Sequence, residues 1–198
     1  NLDRNIAVDV AGLSDGVTVA AGGNHTCAIV SGGALRCWGR NVEGQLGDGT
    51  NIDRNTPVDV VGLSSGVVAV AGGSFHTCAL TIGGAVKCWG SNSHGQLGDG
   101  TTVSSNIPVE VVGLAGGVTG VAAGGSPFGG GHSCAVISGG AVQCWGINDW
   151  GQLGDGTNIN RLTPVSISGI SHGVTAMMAG ALHTCALYPG GEMRCWGN

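Results

Sequence analysis

Four histidines recur with the same neighbours: His25-Thr26-Cys27, His76-Thr77-Cys78, His132-Ser133-Cys134 and His183-Thr184-Cys185. A histidine beside a hydroxyl is the raw material of nucleophilic catalysis, in which an imidazole takes the hydroxyl proton. A working triad needs one special histidine with its own nucleophile and orienting acid. Here every copy carries the same residues, so the repeat explains them. The expected role is a backbone hydrogen bond at the junction between units. No catalytic residue is assigned, and the chain is read as a non-enzyme, with a hydrolase as the minor alternative.

The eight cysteines have a second possible chemistry. They fall in pairs ten residues apart: Cys27 and Cys37, Cys78 and Cys88, Cys134 and Cys144, Cys185 and Cys195. Pairing Val30 with Ala34 across Ser31-Gly32-Gly33 sets Ile29 opposite Leu35, Ala28 opposite Arg36 and Cys27 opposite Cys37. Directly opposed residues of an antiparallel pair lie within reach of a disulfide. Four disulfides inside hairpins are therefore expected, each worth up to ~3 kcal/mol in the loop-entropy model. Packed reduced thiols are the alternative. Zinc would want four converging ligands at closer spacing. Disulfides imply an oxidising compartment, hence a secreted or cell-surface protein.

A third candidate is Asp48-Gly49-Thr50-Asn51-Ile52-Asp53, which loosely resembles a calcium loop. It lacks the run of oxygen ligands and the terminal Glu of an EF-hand, and unit 2 does not repeat its second acid. An Asx-type turn is the expected role. No metal and no cofactor are assigned.

The elements that must position these residues are written in a repeat. GQLGDGT occurs at 44–50, 95–101 and 151–157, and Cys-Trp-Gly occurs four times. Cutting after each GQLGDGT gives units 1–50, 51–101, 102–157 and 158–198, together one domain. The first begins where a preceding unit would have ended, and the fourth stops before its own GQLGDGT. The expectation is an array cut from a longer one, or one whose ends join another chain.

Unit 2 shows four strand signals, at Pro57–Leu63, Val67–Ala71, His76–Ile82 and Ala85–Gly90, short and separated by Gly/Ser turns. About one residue in five is glycine, 41 of 198, and the glycines cluster at those turns. No 3.6-residue period persists. The fold class expected is all-β, with four four-stranded propeller blades.

With 42% hydrophobic and 10% charged residues and a mean hydropathy of +0.27, the chain is neither a disordered polyelectrolyte nor collagen. Its longest apolar run is too short for a bilayer. A net charge of −5 with no basic cluster argues against nucleic acid.

His-x-Cys-Ala after a glycine turn, a Gly-Gly hairpin, Trp-Gly and N-x-x-GQLGDGT together resemble the regulator of chromosome condensation repeat, over all four units. The resemblance implies a β-propeller, usually of seven blades, in a family that includes secreted propellers docking partners through loops. The family's plant ultraviolet photoreceptor carries Trp-Arg before the His-Thr. Here those positions read Gly23-Asn24, Ser74-Phe75, Gly130-Gly131 and Ala181-Leu182, which argues against that role.

Differences between units carry what specificity the sequence shows. Before GQLGDGT the units read Val42-Glu43, Ser93-His94 and Asp149-Trp150. Unit 3 also carries the insertion Ser126-Pro127-Phe128-Gly129-Gly130-Gly131. Glu43, His94, Trp150 and Phe128 are the candidate binding residues, since loops on a rigid scaffold carry recognition and Trp makes hot spots. Trp150 could equally fold onto its own blade. The function expected is a secreted, non-enzymatic module binding a protein partner without membrane insertion. The alternative is a structural subunit that pairs head-to-tail with copies of itself.

Overall fold

Short β-rich segments punctuated by positive-φ glycines can only fold back on themselves, and the result is a run of antiparallel meanders. A computed structural model describes residues 5–128 and 130–198; Asn1–Arg4 of unit 1 and Gly129 of the insertion lie outside the described residues. The first sheet contains β1 (Gly16–Ala21), β2 (His25–Val30), β3 (Leu35–Gly39) and β4 (Arg54–Asp59). The second contains β5 (Val67–Gly72), β6 (His76–Thr81), β7 (Val86–Gly90) and β8 (Ser105–Glu110). The third contains β9 (Val118–Gly125), β10 (Gly131–Ile137), β11 (Val142–Gly146) and β12 (Arg161–Ser166). The fourth contains β13 (Ala176–Ala179), β14 (His183–Leu187) and β15 (Met193–Gly197). Sheets pack in chain order, with the inner strands β1, β5, β9 and β13 in contact. This is an open array of propeller blades.

Two strand expectations need correction. Among the described residues the fourth sheet has three strands rather than four. The segment expected as a strand over Pro57–Leu63 is instead β4, which starts at Arg54 and stops at Asp59. Residues 60–63 leave the ladder to form a turn, in which the Leu63 amide donates to the Val60 carbonyl. Pro57 has no N–H to give a ladder and suits this outer strand. β4 pairs with β3, so the first sheet takes its outer strand from beyond GQLGDGT. β8 and β12 do the same for the next two sheets.

The hairpin register is the expected one: Cys27 faces Cys37, Cys78 faces Cys88, Cys134 faces Cys144 and Cys185 faces Cys195. All four pairs are disulfides, with Cα atoms 4.0 or 4.1 Å apart. Three are sealed between sheets. The fourth is not: Cys195 is exposed and Cys185 half-buried. Thiol–disulfide exchange needs access to the attacked sulfur. Mild reductant followed by differential alkylation and peptide mapping should therefore label Cys185 and Cys195 first. The other six cysteines should react only as the fold opens.

The core lies between sheets rather than within one. Each joint sets the cystine face of one sheet against an Ala/Trp face of the next. Cys27, Ile29, Leu35 and Cys37 pack with Ala79, Trp89 and Val70; Cys78, Leu80, Val86 and Cys88 pack with Ala135, Trp145 and Val121. The third joint repeats this with Cys134, Val136, Val142 and Cys144 against Ala186, Trp196 and Met177. Trp89 and Trp145 are thus core residues, whereas Trp38 and Trp196 are half-buried.

Candidate functional site

The loops that carry Glu43, His94 and Trp150 are each held by a buried amide. Asn41 donates through Nδ2 to Asp48 Oδ1 and to the carbonyls of Thr50 and Ile52, and its Oδ1 accepts from the Leu46 amide. Asn92 and Asn148 repeat these bonds. Gln45 adds a second tie: its Oε1 accepts from the amide of Glu43. Gln96 and Gln152 do the same for His94 and Trp150. The amide of the variable residue is pinned, and its side chain points out of the amide network, that of His94 touching only the neighbouring Ser93 hydroxyl. The loop therefore presents whichever residue stands there from a rigid base, at little ordering cost to a partner.

Asp48 belongs to this scaffold. Desolvation would raise its carboxyl, but hydrogen bonds from Thr50, Arg54 and Asn41 outweigh it and hold the pKa below the ordinary value. Arg54 pairs with Asp48 at 2.8 Å, as Arg161 does with Asp155 at 2.7 Å. Asp53 accepts from the Asn41 amide. Asp48 takes the Asx-turn role expected of it, accepting from the Thr50 amide two residues on, whereas Asp53 ties the loop back to a residue twelve positions earlier.

Three of the four repeated histidines sit at the junctions, and their side-chain partner is a hydroxyl rather than the backbone expected; His183 is exposed on the last sheet. His25 Nε2 lies 2.8 Å from Thr77 Oγ1, His76 Nε2 lies 2.9 Å from Ser133 Oγ and His132 Nε2 lies 2.9 Å from Thr184 Oγ1. Each hydroxyl donates onward to a carbonyl of the GQLGDGT loop, that of Gln45, Gln96 or Gln152. A hydroxyl has one proton, so the imidazole must donate from Nε2. The histidine is a latch between sheets. Burial pushes its pKa down, to about 4 for His25 and His132 and about 3 for His76.

All four candidate binding residues emerge on one side of the array, from β1–β2-type and β3–β4-type loops. Glu43 and Phe128 are brought together. They line one cavity of about 400 Å³ with Arg40, Phe75, Pro127 and the serines 91, 93 and 104, drawn from three sheets. Phe128 is 97% exposed. His94 and Trp150 stand apart from this cavity; Trp150 is 56% exposed, not folded under its own blade. Arg40 and Phe75 were missed in the sequence. The guanidinium carbon lies 5.4 Å from the Phe75 ring centre, a cation–π contact that orders the cavity wall. Both stand at positions where the units differ, which is the signal that could have found them.

The geometry agrees with comparisons against known proteins. The sequence matches the family described as Regulator of chromosome condensation (RCC1) repeat over residues 33–80, 84–136 and 139–187. It is 34% identical over 185 residues to the human E3 ubiquitin-protein ligase HERC2, covering 91% of this chain and 4% of that protein. It is 35% identical over 189 residues to RCC1 domain-containing protein RUG3, mitochondrial, of Arabidopsis thaliana, covering 91% of this chain and 41% of that one. The chain thus spans less than half of these relatives.

Among solved structures, human WBSCR16 superposes with a TM-score of 0.77 at 25% identity, over 92% of this chain and 47% of that one. Yeast RCC1, solved bound to Kap60, superposes with a TM-score of 0.79 at 23% identity, over 95% and 45%. From the repeated motifs, the blade architecture and the match over three repeats, the chain belongs to the RCC1 repeat family of β-propellers.

Proposed function

We infer that the chain is a non-enzymatic module that binds another protein through the loop face, around the cavity between Arg40, Phe75 and Phe128. The observation that carries this reading is convergence. Glu43 and Phe128, singled out because their units differ, meet at one concave site although they come from different sheets. An exposed aromatic beside a guanidinium already stacked on a ring is the composition of an interface hot spot. Yeast RCC1 bound to Kap60 supports protein binding as a use of this fold. The four disulfides favour an extracellular, oxidising setting. Among the described residues no helix is long and apolar enough to cross a membrane. Trp150 is proposed as a second anchor on the same face.

The test is selection of binders from a random peptide display library on the disulfide-intact chain, followed by titration of the best ones. Phe128→Ala should weaken the selected peptides at least about tenfold, equivalent to about 1.4 kcal/mol. Unchanged melting would show that the fold is intact. Peptides indifferent to both Phe128→Ala and Arg40→Ala would remove this cavity as the recognition site.

A further inference from the structure

Each GQLGDGT loop carries the same aspartate, and in two of the three copies the chain neutralises it from within. In unit 1, Arg54 Nε donates to Asp48 Oδ2 at 2.8 Å, and Nη2 lies 2.8 Å from the same oxygen. Nη2 also donates to Thr50 Oγ1 at 3.3 Å. Arg161 repeats the three contacts on Asp155 and Thr157 in unit 3. The two acids are covered, with 6% and 5% of their side-chain surface exposed, whereas each arginine keeps 33% of its own. The position is therefore open to solvent on the guanidinium side.

Unit 2 keeps the acid and lacks the cation. Ser105 heads β8 and faces Gly90, where Arg54 faces Gly39 and Arg161 faces Gly146. Its hydroxyl donates to the Ile107 carbonyl at 2.7 Å and not to the acid. The rest of the frame is unchanged. Asn92 Nδ2, the Thr101 amide and the Thr101 hydroxyl donate to Asp99 Oδ1 at 3.1, 2.9 and 2.9 Å. Oδ2, the oxygen that takes the guanidinium in units 1 and 3, meets only the Thr101 hydroxyl, whose one proton is shared with Oδ1. Among the described residues no cation pairs with Asp99.

Units 1 and 3 show what fits there. A planar fork brings two N–H groups to one carboxylate oxygen and a third to a hydroxyl, which an ammonium, a point charge, does not reproduce. The site adjoins the loop-face cavity. Ser104, beside Ser105, lines that cavity, and its hydroxyl accepts from the amide of Asn92, whose side chain holds Asp99. We propose that Asp99 and Thr101 form a socket for an arginine side chain of the partner protein, seated as Arg54 and Arg161 are in the neighbouring units. An exposed ion pair contributes little affinity alone, so the socket selects among partners held by the larger face. The choice of a protein partner rests on the loop-face reading; the socket itself does not.

Nuclear magnetic resonance titration of the disulfide-intact chain with N-acetyl-arginine amide, up to about 50 mM, tests the socket without a partner. Saturable shifts are expected at the Thr101 amide and the Asn92 side-chain amide, and none at Thr50 or Thr157. N-acetyl-lysine amide should bind more weakly. Ser105→Arg installs the guanidinium that units 1 and 3 already carry, so the fold should hold and the shifts should vanish. Shifts that never appear, that persist in Ser105→Arg, or that are equal for the lysine amide would overturn the socket. Peptides selected from a display library should carry an arginine whose replacement by citrulline weakens binding at least about tenfold, and Ser105→Arg should impose the same loss. Peptides that need Phe128 but are indifferent to Ser105→Arg would overturn the partner's use of the socket and leave the loop face standing. Failure of the loop-face reading shows differently, as peptides indifferent to Phe128→Ala and Arg40→Ala while the arginine-amide shifts remain.

Discussion

Acid should unfold this protein well above the carboxylate range, with most of its stability lost between pH 6.5 and pH 4. The unfolded chain takes up protons at its histidines near their ordinary value of 6.5, whereas buried His25 and His132 resist until about 4 and His76 until about 3. Desolvation is the leading cause in each. A histidine with a depressed folded-state pKa contributes stability that is fully present above 6.5 and is lost as the pH falls toward the folded value. At pH 4 the loss is about 3 kcal/mol per histidine, so the three together rival the whole stability of an ordinary domain. The latch geometry explains why the ring refuses its second proton. Nε2–H is spent on a hydroxyl, and Nδ1 of His25 and of His132 is buried with no partner. Protonation would leave a buried N–H facing nothing.

Urea titrations at stepped pH, under non-reducing conditions, would measure this. The slope of unfolding free energy against pH should approach about 4 kcal/mol per unit near pH 5. A flat profile from pH 6.5 to 4.5 would contradict the buried-latch account. Asp48 and Asp155 act in the same direction but lower. Their depressed carboxyls lose stability only as the pH falls below their ordinary 3.8, so the histidine phase should come first.

How far the sequence speaks depends on how local the structure is. The cystine register was legible because Cys27 and Cys37 flank a glycine turn, and the turn alone sets which residues oppose. The repeat made the blades legible for the same reason. β4 was misplaced because its ladder partner is β3 across a GQLGDGT loop; nothing within Pro57–Leu63 records where a strand leaves a neighbour's edge. The His–hydroxyl latch joins residues 52 or 57 positions apart, so the histidine was legible as a junction residue but its partner was not. The cavity at Arg40, Phe75 and Phe128 needs three sheets in place before it exists at all. A repeat hides such a site, because the eye is drawn to what recurs.

The four repeated tryptophans make the complementary point, since one motif should give three different losses on truncation. Trp145 is fully buried, and its Nε1 donates to the Gln96 carbonyl at 2.9 Å. The Nε1–Cδ1 edge of its ring lies against Gly98, whose φ of +70° and lack of a Cβ allow the approach; a Cβ there would stand 2.7 Å from Nε1. Trp145→Ala would remove the ring from a joint that has nothing to fill the void, at a cost of about 3–5 kcal/mol. Trp89→Ala should cost as much, because it makes the same bond to Gln45 and packs its Nε1 edge on Gly47.

Trp196 keeps its bond to the Gln152 carbonyl but is half-buried, so its replacement should cost an intermediate amount. Trp38 lies on the uncovered face beside Val17 and Val19. In dilute solution Trp38→Ala should change the unfolding free energy by about 1 kcal/mol or less, as at other half-exposed apolar sites. Chemical denaturation of the four single variants at low protein concentration orders them. A Trp38→Ala loss equal to that of Trp145→Ala would show that burial between sheets is not what gives the motif its energy.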